Sequence, residues 1–163
     1  MVYTVTLNPA LDYSIQMTEF NLGKLNLSDK AYFLGGGKGI NVSKVLKNLG
    51  VQSVALGFLG GFTGEFIKEE LESKNIKEEF VEVEGNTRVN LKLRNGEVET
   101  EIAGISPKIT KENLDALLGK LAKLVDGDIL VLSGSVPKGI ESNVYAEIMK
   151  SIKKDVKVIK DTR

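Results

Sequence analysis

Leu34-Gly35-Gly36-Gly37-Lys38-Gly39-Ile40-Asn41-Val42 sets four glycines and a lysine between a strand-like run and a helix-like one. Glycine admits positive φ and lets a ligand come close to backbone N–H groups. Downstream, Val42, Val45, Leu46 and Leu49 recur at i, i+3, i+4 and i+7, and Gly50 stands where a helix would end. The start of that helix offers unpaired amides and the positive end of its dipole to whatever lies over the glycines. Lys38 adds a mobile charge, and Asn41 a neutral donor and acceptor. The loop is not a dinucleotide fingerprint, which would need glycine in place of Ile40, nor a Walker A loop, which would need glycine in place of Tyr32 and a hydroxyl residue in place of Gly39. A plain strand–helix turn needs only one or two glycines. Four glycines and a lysine argue for a site with an oxygen-rich, anionic guest.

Upstream of the loop, Val2 to Leu7 reads as a buried strand ended by Asn8-Pro9. From Leu11 the period becomes two: Leu11, Tyr13, Ile15 and Met17 alternate with Asp12, Ser14 and Gln16. Lys30 to Leu34 returns as a strand to the glycines. Downstream, Ser53 to Phe58 is an apolar strand, Gly60 to Gly64 opens a helix carrying Phe66, Ile67 and Leu71, and Phe80 to Val83 is a further strand. Asn95-Gly96 reads as a type I′ hairpin turn. Its expected pairs are Arg94–Glu97, Leu93–Val98, Lys92–Glu99, Leu91–Thr100, Asn90–Glu101 and Val89–Ile102, with Arg88 and Asn90 on the polar face. Thr110 starts a helix with Leu114, Leu117, Leu118, Leu121 and Leu124 on one stripe. Asp128 to Leu132 is a buried strand, a helix runs through Tyr145, Ile148, Met149 and Ile152, and Val156 to Ile159 is the last strand.

Two kinds of sheet follow. Apolar strands alternating with helices imply an α/β, doubly wound, mostly parallel core over 1–10, 35–86 and 103–163. The alternating strands imply a small antiparallel β flap over 11–34 and 87–102, apolar on one face.

The 163 residues suffice for one domain with a substantial core. Lys+Arg and Asp+Glu balance at 22 each, so no global field favours nucleic acid or an anionic membrane. Cysteine and histidine are both absent, which removes disulfides, thiolate metal sites and any Ser-His-Asp triad. A general base would have to be a carboxylate or a lysine. With no signal-like N-terminus and no 18-residue apolar run, a soluble cytoplasmic protein is expected.

Four blocks occur together: Thr6-Leu7-Asn8-Pro9-Ala10-Leu11-Asp12, Gly35 to Val42, Thr87-Arg88-Val89-Asn90, and Ser133-Gly134-Ser135-Val136-Pro137-Lys138-Gly139. In this order they resemble the ribokinase-like (PfkB-type) sugar kinases. Leu56 to Gly64 is similar to the bacterial 1-phosphofructokinases, and tagatose-6-phosphate kinases share most of the blocks. The resemblance implies a ribokinase-like fold with the flap as a lid, fructose 1-phosphate and ATP as substrates, fructose 1,6-bisphosphate as product, magnesium, and a homodimer through the flap.

It also implies roles. Asp12 would bind sugar hydroxyls, with Gly36, Gly37, Lys38 and Asn41 holding the sugar at the helix start. Arg88 would clamp the phosphate and Asn90 would reach the sugar. Ser135 and Lys138 would line the phosphate pocket, Lys138 reading equally well as an exposed turn lysine. The family's Gly-Ala-Gly-Asp tetrapeptide, whose aspartate takes the proton of the attacking hydroxyl, does not occur in these residues. The chain therefore reads as a truncated, N-terminal half with no catalytic residue assigned, inactive alone, the ATP and magnesium sites lying mainly elsewhere. Two other readings stand beside the kinase: a non-catalytic sugar-phosphate-binding module, and a nucleotide-binding regulatory domain using the glycine loop alone.

Overall fold

A computed structural model describes residues 1–152 and 155–161. In chain order the elements are β1 (Val2–Thr6), β2 (Ala10–Met17), β3 (Lys30–Gly36), α1 (Lys38–Asn48), β4 (Ser53–Leu59), α2 (Gly61–Ser73), the short β5 (Lys77–Glu78) and β6 (Val81–Glu82), β7 (Val89–Asn95), β8 (Val98–Ile102), α3 (Lys111–Leu121), β9 (Ile129–Ser133), α4 (Val144–Ser151) and β10 (Lys157–Asp161).

β4 is buried at every residue, as a strand covered on both faces must be. It lies parallel to β1, which lies parallel to β9, giving the order β10-β9-β1-β4-β5 with β6 also on β4. Alternation along β4 divides the core. Val54, Leu56 and Phe58 join Leu117 and Leu121 of α3 and Val144, Tyr145 and Ile148 of α4. Ala55 and Leu59 face the other way, onto Ile40 of α1 and Ile67 and Leu71 of α2. A helix pair on each face of one parallel sheet is the doubly wound arrangement that the strand–helix alternation implies. Thr110 caps α3 through a reciprocal capping box with Asn113, which is why that helix begins there.

The second sheet has the order β3-β2-β7-β8. β2–β3 and β7–β8 are antiparallel, but β2 and β7 run parallel, pairing Asp12 with Asn90 and Ser14 with Lys92. The flap is thus mixed, not antiparallel throughout: each neighbouring hairpin closes locally, and the two hairpins then meet through their first strands.

Two further expectations are corrected. The hairpin register is Lys92↔Glu101, Leu93↔Thr100, Arg94↔Glu99 and Asn95↔Val98, so Arg94 faces Glu99 and not Glu97. Gly96 takes φ 57 while Asn95 stays in the strand. Glycine therefore occupies the first central position of the turn, the type II′ requirement, not the second position of type I′. Each partner is displaced by two residues, an even shift that leaves every side chain on its expected face. The apolar stripe of α1 is also not its buried face: Val45 and Leu49 are 56% and 71% exposed, while Gly39, Ile40 and Ser43 are buried. A Cβ at Gly39 would lie 2.8 Å from the Val5 carbonyl oxygen. α1 sits so close to β1 that only its small residues fit between them.

Candidate functional site

β1 ends in Thr6, whose hydroxyl accepts the Ile40 amide at 3.0 Å, while Thr4 shares a 2.7 Å hydrogen bond with Ser43. These threonines dock the start of α1 against the carboxyl end of the parallel sheet, where open α/β folds place their ligands. The N-cap residue Gly37 has no capping side chain, so beside the Ile40 amide held by Thr6 the first turn has no cap of its own, and it carries no acidic residue. Each glycine before and within this turn has its own cause. A Cβ at Gly36 would lie 2.7 Å from Asp12 Oδ2, and one at Gly35 would lie 2.8 Å from Glu70 Oε2. Gly37 adopts φ 128, which L side chains rarely enter.

A cavity of about 480 Å³ opens over this turn. Its walls are Thr6 and Asn8 after β1, Ala10 and Asp12 on β2, Gly37, Lys38 and Asn41 at the start of α1, Arg88 beside β7, Asn90 and Lys92 on β7, Glu101 on β8, and Gly134 and Ser135 after β9. Seven expected site residues therefore converge, and Gly36 backs Asp12. Lys138 is not among them: it is exposed on the turn after Pro137.

Asp12 is the centre of a network. Its Oδ1 accepts from Asn90 Nδ2 at 3.0 Å and its Oδ2 pairs with Lys92 Nζ at 2.9 Å. Asn90 is 5% exposed, and its Oδ1 accepts the Gly104 amide, so its side chain is held between Asp12 and the backbone at the cavity wall. The hydrogen bond from Lys92 to Asp12 raises the lysine pKa, partly opposed by burial. Arg88 donates from Nε to the Pro9 carbonyl and from Nη2 to the Asn8 carbonyl, at 3.3 and 3.1 Å. Burial pulls its pKa below the usual arginine value, with Asp12 and Glu101 opposing. Lys38 reaches out to Asp161 at the end of β10, 3.0 Å away. Asn8 ties the walls together, accepting from Ser106 Oγ and donating to Ser135 Oγ. The Tyr145 phenol, its pKa pushed up to about 12 by burial, donates to the Gly134 carbonyl.

Lys92 and Asn8 were not singled out from the sequence. Strand alternation alone, carried from 88 through 90 to 92, puts Lys92 on the polar face; reading it as a ladder partner of Glu99 hid it. Asn8 gives no such signal, because a turn asparagine before proline has an ordinary local role.

A mixed flap standing over the carboxyl end of a doubly wound sheet, with a carboxylate, cations and a helix start meeting beneath it, defines a ribokinase-like α/β protein. The chain belongs to the pfkB family of carbohydrate kinases, whose model matches residues 5–163. It is 49% identical to a 1-phosphofructokinase of Borreliella burgdorferi over 99% of this chain and 53% of that protein. It is 37% identical to a tagatose-6-phosphate kinase of Staphylococcus epidermidis over 94% of this chain and 50% of that protein. A crystal structure of phosphofructokinase-2 from Escherichia coli in complex with fructose-6-phosphate superposes with a TM-score of 0.89 at 26% identity, over 99% of this chain and 54% of that one. The chain spans about half the length of the curated relatives it matches.

Proposed function

We propose that this chain is the sugar-phosphate-binding part of an ATP-dependent sugar-phosphate kinase, with fructose 1-phosphate as the acceptor converted to fructose 1,6-bisphosphate. The observation that carries this is the meeting of Asp12, Arg88 and the glycine-capped start of α1 on one cavity. A carboxylate accepts two sugar hydroxyls well, and a guanidinium beside it suits a phosphate dianion. Asn41 and Ser135 add neutral donors and acceptors along the same walls. Relatives named 1-phosphofructokinase favour fructose 1-phosphate, and the tagatose-6-phosphate kinase relatives keep that sugar phosphate as the second reading.

Phosphoryl transfer rests on positioning and on stabilising charge. In the cavity, Asp12 is already committed to Lys92 and Asn90. Among the described residues no group of three or more carboxylates is gathered as a metal-ion site. Among them, too, no helix is long and apolar enough to cross a membrane. The chain alone is expected to bind the acceptor without turning it over. Titration calorimetry of the full chain should give saturable heat with fructose 1-phosphate and weaker heat with tagatose 6-phosphate. Silence with both sugar phosphates overturns the reading, and the reverse ranking replaces the first acceptor with the second.

A further inference from the structure

We propose that Lys92 is a second ligand of the acceptor's phosphate, kept on Asp12 until a sugar competes for that carboxylate; the proposal rests on the sugar-phosphate reading above. β7 alternates, so Arg88, Asn90 and Lys92 rise from one face of the flap, and β2 runs parallel beside them with Asp12 opposite Asn90. The Lys92 ammonium reaches back along this face to Asp12 Oδ2 at 2.9 Å. Its side chain is 33% exposed, so the ammonium stands at the cavity wall within reach of solvent.

Charge decides what the cavity attracts. Its walls carry three cations, Lys38, Arg88 and Lys92, against two carboxylates, Asp12 and Glu101, a surplus of one positive charge. Without Lys92 the walls are neutral. Each cation already has a partner, but the partners differ in kind. Lys38 is held by Asp161 and Arg88 by two backbone carbonyls. Lys92 alone is held by the group proposed to take the sugar's hydroxyls. Sugar binding therefore competes for the very carboxylate that restrains Lys92, and the phosphate offers the ammonium a dianion in exchange. Lysine suits this exchange: a flexible stem carries a compact charge with three rotatable donors. Glu101, directly across the ladder from Lys92, shares the cavity wall with it and disfavours an anion at the β8 side.

The test uses the full chain with Lys92→Met and Lys92→Arg, titrated by amide NMR with fructose 1-phosphate, inorganic phosphate and fructose. Lys92→Met should weaken fructose 1-phosphate and inorganic phosphate by about tenfold each, as expected for one lost charge-assisted contact, with fructose no weaker than before. Lys92→Arg should recover most of the loss. Equal losses for fructose and fructose 1-phosphate would show that Lys92 acts only by orienting Asp12, and would overturn the proposal. Where fructose binds too weakly to titrate, inorganic phosphate decides, and an affinity unchanged in Lys92→Met overturns it as well. An unaltered chain that binds neither phosphate compound fails the sugar-phosphate reading first, an outcome distinct from a variant that binds as well as the parent.

Discussion

Arg88 and Arg94 differ by six residues and share one face of the flap, yet their surroundings separate their roles. Arg94 pairs with Glu99 at 2.9 Å, and both side chains are about half exposed, at 55% and 46%. An exposed pair of this kind contributes ~0–1 kcal/mol to stability. Arg88 is half-buried, anchored by the Asn8 and Pro9 carbonyls at the rim of the cavity, with donors left over for a phosphate. Arg88→Ala is expected to weaken fructose 1-phosphate binding by roughly thirty-fold, about 2 kcal/mol, the scale of a lost charge-assisted hydrogen bond. Arg94→Ala should leave the affinity unchanged. Arg88→Lys guards against a purely structural loss, since it keeps the charge while losing the fork. Calorimetric titration of the three variants decides. An Arg94→Ala loss as large as that of Arg88→Ala would move the phosphate to the outer end of the hairpin.

At the scale of elements, the glycine turn is held by side chains from two helices. Gly35 lies on β3, an edge strand, and its amide donates to Glu70 Oε2 of α2 at 2.5 Å. Its carbonyl accepts from Lys44 Nζ of α1 at 2.7 Å, and Lys44 pairs with Glu70 at 2.6 Å. One ion pair thus satisfies both backbone polar groups of an edge residue, which the ladder leaves over. Burial would push the Glu70 carboxyl up, but hydrogen bonds from Lys44, Lys74 and Gly35 outweigh it and hold the pKa below the ordinary 4.5. A depressed carboxylate contributes stability that is fully present above its unfolded pKa and lost as pH falls through its folded one. Glu70→Gln should therefore cost about 1–3 kcal/mol at neutral pH, and the gap to the parent should close below about pH 4.5. Urea melts at both pH values check this; a gap that persists in acid would show that Glu70 acts by packing alone.

How far the elements were legible follows from the same physics. Parallel strands buried on both faces declare themselves as apolar runs, so the core and its helices could be read directly. The hairpin register differs from the expected one by two residues because both set Lys92 and Arg94 opposite glutamates, and charge cannot choose between them. The stripe of α1 misled because helix–sheet distance is set by the smallest residues in the contact, here Gly39 and Ser43, and a hydrophobic period does not report distance. The site was legible where a residue type and a strand face coincide, as for Asp12 and Arg88. It was not legible for the Glu70–Lys44 pair, whose members lie 26 residues apart and meet only through tertiary packing.

For the whole molecule, exposed apolar residues predict where copies of the chain would meet. Among the described residues, three apolar or unpaired surfaces can be compared. On the flap, Tyr13 and Phe33 stack at 4.4 Å between centroids, and Val89, Val98 and Ile102 are 40%, 65% and 60% exposed on the same face. Together they form one apolar face of the sheet, larger than scattered surface residues would make. On α1, Val45 and Leu49 are exposed, but the helix surface between them carries Lys47 and Asn48. At the sheet edge, β10 pairs with β9 on one side, while Lys157 and Lys160 blunt its sequence against further pairing. The flap gathers Tyr13, Phe33, Val89, Val98 and Ile102 on one face with no charge between them, so the expected assembly is a homodimer through the flaps. Sedimentation of the full chain across the micromolar range should show concentration-dependent dimers. Ile102→Lys should shift them to monomer, because it sets a charge on that face at little cost to a protomer in which the side chain is already exposed. Val45→Lys is the control and should leave the dimer intact. Loss of association in Val45→Lys alone would place the contact on α1. Association that survives both changes and grows into larger species would place it on the β10 edge, where one strand can add to the next without closing.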